Sequence, residues 1–278
     1  MAQIATWKTW PRCIQNDEDY RLIPPDLRSA YEADVGQGYR PGVYLVHCPF
    51  DARQSRKHAE KLLYVFDSSL IFIERRQNRL ARRQFRAEHV GVIESGHMLL
   101  NAWMTIAVCD GKSDDMAKIY YNRISHPFFE RIVEMMRTMA LGVENPVRYD
   151  NSAASSLQEI NYKYNCARDL VFEDEGPAKY VFQRALADKR FGMFRINLIN
   201  DHVLMHTQKE LIQITEGKSR TDHYETTKTF YVRKYLNQPD YSEASEAGRV
   251  RLTLSSGAYS RSVWFGEENM QEVKGLVR

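Results

Sequence analysis

Short apolar runs separated by turn-forming residues dominate this sequence up to residue 125. Runs of this length, rich in β-branched and aromatic residues, are typical of strands rather than helices. They predict strands at residues 43–46, 62–66, 70–73, 80–85, 90–93, 99–108 and 119–121. Asp67 and Ser68 separate two of these runs, and Asp110 and Gly111 separate two more, as turn residues do in β-hairpins.

The pattern changes to a helical one after residue 125. Apolar residues recur every three or four positions from 128 to 139, and Pro127 stands where the first turn of a helix accepts proline. This spacing predicts an amphipathic helix over residues 127–140. Gly142 and Pro146 are expected to end it, and the polar residues that follow are typical of a linker.

A similar order of elements recurs beyond the linker. The pattern predicts a helix at 157–170, strands at 180–183, 194–199, 203–205, 211–215, 229–236, 250–254 and 262–265, and a closing helix at 269–277. At an offset of 133 residues, the apolar positions Leu63, Val65, Phe66, Leu70 and Ile71 align with Ile196, Leu198, Ile199, Val203 and Leu204, and Asp67 falls on Asn200. This alignment predicts two equivalent hairpins and therefore a duplicated domain.

The duplication predicts a mainly β fold with capping helices. Each domain is expected to be a curved antiparallel sheet or barrel closed by its C-terminal helix. The predicted boundaries are an N-terminal extension at 1–22, a first domain at 23–146, a linker at 147–156 and a second domain at 157–278.

The two strand–turn–strand segments, residues 62–73 and 195–205, resemble those of bacterial pleckstrin-homology-like domains. The likeness covers residues 23–140 and 155–278 as an order of elements. Neither terminal helix carries the tryptophan that many eukaryotic members have there, and Trp264 lies on the preceding predicted strand. The resemblance implies a non-enzymatic scaffold that binds phospholipid head groups, peptides or partner domains, or that self-associates. It does not select one ligand, because one fold hosts many functions.

Composition is compatible with this interpretation. Hydrophobic residues make up 43% of the 278 residues and charged residues 27%, so packed domains are expected without disulfides. The four cysteines, Cys13, Cys48, Cys109 and Cys166, include no CxxC pair and predict reduced thiols. The sequence lacks an N-terminal apolar run and any apolar stretch of about 20 residues. A cytoplasmic protein that does not span a membrane is therefore expected, with a peripheral position at a membrane left open.

Positive charge is concentrated in residues 51–86, which contain ten basic and four acidic residues. The whole chain carries a net charge of only +3. The resemblance to pleckstrin-homology-like domains implies that residues 51–61 form the loop between the first two strands. Lipid-binding members of that family have lysine and arginine in this loop. Arginine forks and lysine ammonium groups both bind phosphate. The predicted anion-binding residues are Arg53, Arg56, Lys57, Lys61, Arg75, Arg76 and Arg79. The alternative is a solvated hairpin whose charges discourage edge pairing.

Other functions have less support in the sequence. A nucleic-acid site would need aromatic side chains between the arginines for base stacking, and only Phe72 and Phe85 lie there. Nucleic acid therefore has less support as the anionic ligand. His202 and His206 are four residues apart on a predicted strand, roughly 13 Å, which is too far for a shared zinc ion. No catalytic residue, metal site or cofactor is predicted. An enzyme of unrecognised chemistry stays an alternative, which a pocket with convergent polar groups would favour.

Overall fold

The computed structural model describes residues 11–50, 59–76, 79–109, 115–144, 146–147, 169–175, 179–190, 194–218, 224–243 and 248–277. Most of them lie in antiparallel strands, which confirms the prediction of a mainly β protein. Residues 148–168, with most of the predicted linker and of the helix at 157–170, lie outside the described residues. None of the described helices has the length and apolar character needed to cross a bilayer.

The N-terminal half, residues 11–147, begins with a five-stranded antiparallel sheet whose strands follow the order of the sequence. They are β1 (Arg12–Ile14), β2 (Tyr44–Cys48), β3 (Lys61–Phe66), β4 (Ser69–Arg76) and β5 (Arg79–Arg86). Helices α1 (Asp17–Arg21) and α2 (Pro25–Val35) cover one face, where Leu27 and Tyr31 pack with Tyr64. Because both faces of the sheet are covered, the first part of β4 is a continuous run of apolar residues and does not alternate between apolar and polar residues.

The rest of the N-terminal half comprises β6 (Val90–Met98), β7 (Asn101–Val108), β8 (Met116–Asn122) and α3 (His126–Leu141). The C-terminal half, residues 169–277, comprises strands and one α-helix, α4 (Met270–Val277). Its strands are β9 (Lys179–Gln183), β10 (Leu186–Arg190), β11 (Phe194–Ile199), β12 (Asp201–His206), β13 (Glu210–Lys218), β14 (Tyr224–Val232), β15 (Asp240–Glu243), β16 (Arg249–Ser256) and β17 (Tyr259–Gly266).

Both halves contribute to one seven-stranded sheet in the order β8-β7-β6-β14-β13-β12-β9. The junction is the antiparallel pairing of β6 with β14, whose register runs from Met98 opposite Glu225 to Val92 opposite Tyr231. The backbone hydrogen bonds of this ladder join the two halves along the length of both strands.

Helix α3 lies between the five-stranded and seven-stranded sheets. Phe129 and Met136 on the helix belong to the same core as Phe72 of β4, Ile93 of β6 and Phe230 of β14. The helix predicted at 127–140 is therefore confirmed, and its apolar face contacts both halves of the chain. Gly142, at the C-terminus of α3, adopts a left-handed conformation with φ of 62°, as glycine commonly does after a helix.

The opposite face of the seven-stranded sheet is covered by the sheet β15-β16-β17 and by α4. Leu252 of β16, Phe265 of β17 and Val273 of α4 pack there against Leu204 and Tyr231. The protein is thus layered, and the shared sheet has a hydrophobic core on each side.

The same order of elements occurs in both halves. In the N-terminal half, four strands (β2–β5) lead through the 3-10 turn Ala87–His89 to three strands (β6–β8), the 3-10 turn Arg123–Ser125 and α3. In the C-terminal half, β9–β14 are followed by the 3-10 turn Arg233–Tyr235 and by three strands, β15–β17. The 3-10 turn Glu267–Asn269 and α4 come last. There, β9 and β10 pair with β12 and β11 as one long bent hairpin.

Two parts of the predicted architecture are wrong. The expected antiparallel sheets are present, but they are open and not closed barrels, and β6 uses its outer edge to pair with β14. The alignment at an offset of 133 is also wrong, because β11 and β12 do not pair with each other. Asp67 and Ser68, both at positive φ, form a two-residue hairpin turn, whereas Asn200 lies at a bend within one long arm of a hairpin.

Candidate functional site

The basic end of the N-terminal half is where the sequence predicted an anion site. β2 and β3 pair between Cys48 and Lys61, and β4 and β5 pair between Arg76 and Arg79. The connections that follow β2 and β4 therefore lie at the same end of the sheet. The backbone amide of Arg75 donates to the carbonyl of Glu60 at 2.9 Å, which brings the end of the first connection against β4.

Several of the predicted anion ligands already have carboxylate partners. Arg75 forms an ion pair with Glu60 at 2.7 Å and another with Asp26 of α2. Arg76 Nε donates to Glu74 at 2.5 Å. These contacts offset the positive charge that the sequence shows at this end.

The remaining predicted ligands differ in their positions. Lys61 is only 3% exposed, and burial lowers the pKa of its ammonium group while Cys48 and Glu74 oppose that shift. Arg79 is exposed at the start of β5 and forms no ion pair with another described residue. Arg53, Arg56 and Lys57 lie outside the described residues.

Strand β5 is an edge of the five-stranded sheet and carries further arginines along its length. Arg82 pairs with Asp34 at 3.0 Å, and Arg83 with Asp115 at 3.6 Å. Charged side chains on an edge strand hinder pairing with another chain. The position of β5 therefore supports the alternative interpretation for this part of the basic stretch.

A buried ionic cluster joins α3 to the C-terminal half. Arg137 Nε donates to the carboxylate oxygens of Glu210 at 2.9 and 3.1 Å, and a further guanidinium nitrogen lies 3.6 Å from Glu175. The guanidinium carbon lies 4.5 Å from the ring centroid of Phe172 and 4.4 Å from that of Phe230. Burial raises the pKa of Glu210 to about 7 and nearby Glu175 adds to the shift, whereas Arg137 opposes it.

A second polar cluster lies on the other side of the seven-stranded sheet. Glu94 of β6 accepts hydrogen bonds from Trp103 Nε1 at 2.8 Å and Tyr259 OH at 2.6 Å, and it forms an ion pair with Arg261 of β17. Burial alone would raise the pKa of Glu94, but Arg261 and these hydrogen bonds outweigh it, so the pKa is lowered. The cluster stabilises the contact between the shared sheet and β17.

A third cluster contains histidine and hydroxyl groups, the residue types of many enzymes. Glu130 accepts from Ser95 Oγ at 2.5 Å and lies 3.3 Å from both His126 Nε2 and Lys228 Nζ, and His126 Nδ1 lies 3.0 Å from Tyr121 OH. Burial lowers the pKa of His126. Ser95 donates to a carboxylate and not to a histidine, so the cluster does not contain a Ser–His pair.

Several cavities are lined by described residues, and the residues of the third cluster are not among the lining of the three that follow. One of about 340 Å³ lies beside Cys13 and Tyr44, and one of about 280 Å³ lies beside Ser69 and Arg86. A larger cavity of about 590 Å³ lies between the segment after β14 and helix α4. Its lining residues are Arg233, Leu236, Asn237, Gln238, Pro239, Tyr241, Lys274 and Val277.

Sequence reasoning missed this larger cavity, which we call the C-terminal cleft. Its two basic residues, Arg233 and Lys274, are far apart in the sequence, and neither lies in a basic run. Only the packing of α4 against the shared sheet brings the two cations together.

The two histidines of β12 have separate surroundings. His202 Nδ1 lies 2.9 Å from the carbonyl of Asn200, and its ring packs edge-on against Phe265. Burial lowers the pKa of His202 to about 4. Within the described ranges, no three His, Cys, Asp or Glu residues are placed to hold a metal ion.

Comparison with family models, with curated proteins and with solved structures finds no match for this chain.

Proposed function

We propose that this chain is a non-enzymatic binding or scaffold protein built from two pleckstrin-homology-like repeats. The observation that carries the proposal is a recurring order of elements, in which β9–β10 and β11–β12 each count as one bent strand. The order is four strands, a 3-10 turn, three strands, a 3-10 turn and a helix. The resemblance rests on seven strands followed by a helix, twice. The structure repeats this order, but the residues that correspond differ from those aligned at an offset of 133.

The buried polar clusters fit a structural role. Arg137 and Glu94 each bridge the N-terminal and C-terminal halves, and their partners are themselves buried or half-buried. Such clusters fix how two units pack. A scaffold with two rigidly joined repeats can hold two partners, or two copies of one partner, at a constant separation.

The proposed binding surface is the basic end of the N-terminal half, for an anionic lipid head group or an acidic protein segment. Because Arg75 and Arg76 have carboxylate partners, the cations proposed to contact the ligand are Arg79 and the loop residues Arg53, Arg56 and Lys57. Arginine and lysine in one loop supply both bidentate and mobile contacts to phosphate.

Charge reversal tests the surface. The double substitution Arg56→Glu/Lys57→Glu should reduce sedimentation with phosphatidylcholine vesicles that contain phosphatidylserine and should weaken heparin binding. Arg86→Glu is the matched control, because Arg86 is exposed at the other end of β5. Its binding should stay close to that of the wild type. Equal binding by the double variant and the wild type in both assays would remove this surface from the proposal.

A further inference from the structure

The C-terminal cleft has the composition of an anion site. Its described lining residues include one arginine, one lysine, Asn237 and Gln238, and no acidic residue. Most protein surfaces mix charges of both signs. A cavity of about 590 Å³ whose described charged residues are both basic therefore attracts anions more than cations.

Within the described part of the chain, both cations are available to bind a ligand. Neither Arg233 nor Lys274 forms an ion pair with an acidic residue in the described part of the chain. Lys274 Nζ lies 5.9 Å from the ring centroid of Tyr241, a cation–π contact that orients the ammonium group at the cleft. The backbone amide of Arg233 donates to the carbonyl of Lys209 at 2.9 Å, which fixes the start of the segment that lines the cleft.

The walls of the cleft suit a ligand that also has an apolar part. Leu236 and Tyr241 pack on the core between the shared sheet and α4, and Pro239 and Val277 complete the apolar lining. Sites with an apolar wall and a few convergent polar groups bind organic molecules rather than bare ions.

We propose that the C-terminal cleft binds a phosphate monoester, with Arg233 and Lys274 contacting the phosphate and the apolar wall contacting the organic group. The fork of Arg233 can hold two phosphate oxygens, and Lys274 adds a point charge. The same phosphate monoester occurs in soluble organic phosphates and in the head group of phosphatidic acid. This site is separate from the basic end of the N-terminal half.

The test uses the full chain and two probes that share this chemistry. Glycerol 3-phosphate is titrated by heteronuclear NMR, and phosphatidylcholine vesicles with and without phosphatidic acid are used in sedimentation. Binding of the soluble probe identifies a free organic phosphate as the ligand class, and binding of phosphatidic acid vesicles alone identifies a lipid head group. Binding of neither probe overturns the proposal.

Substitutions then assign the site. Each charge-assisted contact removed should weaken binding about tenfold, so Arg233→Gln/Lys274→Gln should bind about a hundredfold more weakly than the wild type. Lys234→Gln is the matched control, since Lys234 is on the same 3-10 turn, does not line the cleft, and donates to the carbonyl of Glu88 at 3.3 Å. An equal loss in the control and the double variant would overturn the proposal by showing nonspecific attraction.

Two further variants separate this site from folding effects and from the proposed function. Arg233→Lys keeps the charge and should recover part of the affinity that Arg233→Gln loses, whereas a folding defect would be seen in the thermal melt of both variants. Arg56→Glu/Lys57→Glu should leave binding of glycerol 3-phosphate unchanged. If that variant abolishes binding and Arg233→Gln/Lys274→Gln does not, the phosphate site is not in the cleft.

Discussion

Arg137 of α3 and Glu210 of β13 form a buried bidentate ion pair that joins the N-terminal half to the C-terminal half. Both side chains are almost fully inaccessible to solvent, at 3% and 0% exposure. Their charges are therefore screened little, and each depends on the other for compensation. Glu175, 3.6 Å from the same guanidinium group, makes this a cluster of two carboxylates around one cation.

Loss of Arg137 should strongly destabilise the protein. Above the pKa of Glu210, which is about 7, Arg137→Ala leaves two carboxylates in the core without their cation, and we expect the free energy of unfolding in urea to fall there by about 3–5 kcal/mol. Arg131→Ala is the control on the same helix. The side chain of Arg131 is 60% exposed and pairs with Glu134, so its loss should cost less than about 1 kcal/mol. Equal effects of the two substitutions would contradict the structural role of the cluster.

Glu210 should make stability fall as pH rises. Its pKa is raised to about 7 in the folded protein from an ordinary value of 4.5. Above pH 4.5 the folded state therefore keeps a proton that the unfolded state loses. The stabilisation that this proton gives to the folded state is fully present below that pH. This stabilisation should be lost as pH rises through the pKa of the folded state, and the free energy of unfolding should fall by about 3 kcal/mol. Urea unfolding of the wild type and of Glu210→Gln, measured between these two pKa values, gives the pH dependence of each free energy of unfolding. Parallel pH profiles of the two proteins would refute the assigned role of Glu210.

The ion pair of Glu94 and Arg261 should show strong coupling. Removing either charge leaves the other poorly compensated, so Glu94→Gln and Arg261→Met should each cost about 3 kcal/mol. The double variant should lose clearly less than the sum, as expected of residues in direct contact. Arg251→Met on the neighbouring strand is the control, because Arg251 is exposed and donates to Ser242. Additive losses in the cycle would mean that the pair contributes no coupling.

The two halves should unfold together. The β6–β14 ladder, the core around α3 and the Arg137 cluster all cross between them. We expect a single urea transition for the full chain, with coincident far-ultraviolet circular dichroism and tryptophan fluorescence curves. Two separated transitions, or independent cooperative folding of residues 1–146 and 157–278, would show that the shared sheet adds little to stability.

The cysteines should differ in reactivity. Cys48 is buried, and burial raises the pKa of its thiol to about 12, so it should react with Ellman's reagent far more slowly than the half-buried Cys13 and Cys109 in the native protein. Cys48→Ala should remove the slowest phase. All four cysteines should titrate in denaturant without reductant, and a lower number would contradict the prediction of reduced thiols.

The sequence by itself determined which segments form strands and helices in much of this protein. Alternation and short apolar runs located β3, β4 and β12, and the three-to-four spacing located α3 and α4, because these patterns reflect local backbone geometry. The uneven charge of residues 51–86 was also visible. Because successive antiparallel strands reverse direction, the end of β2 and the end of β4 lie at the same end of the sheet.

Only the tertiary structure decided which strands pair. An apolar strand can pair along either edge, and nothing local to β6 specifies β14 as its neighbour. For the same reason, a hairpin could be predicted around Asn200 where the chain makes a bend within one arm of a larger hairpin. The Arg137–Glu210 pair and the meeting of Arg233 with Lys274 at the cleft follow from that global pairing, because packing brings together charges that are far apart in the sequence.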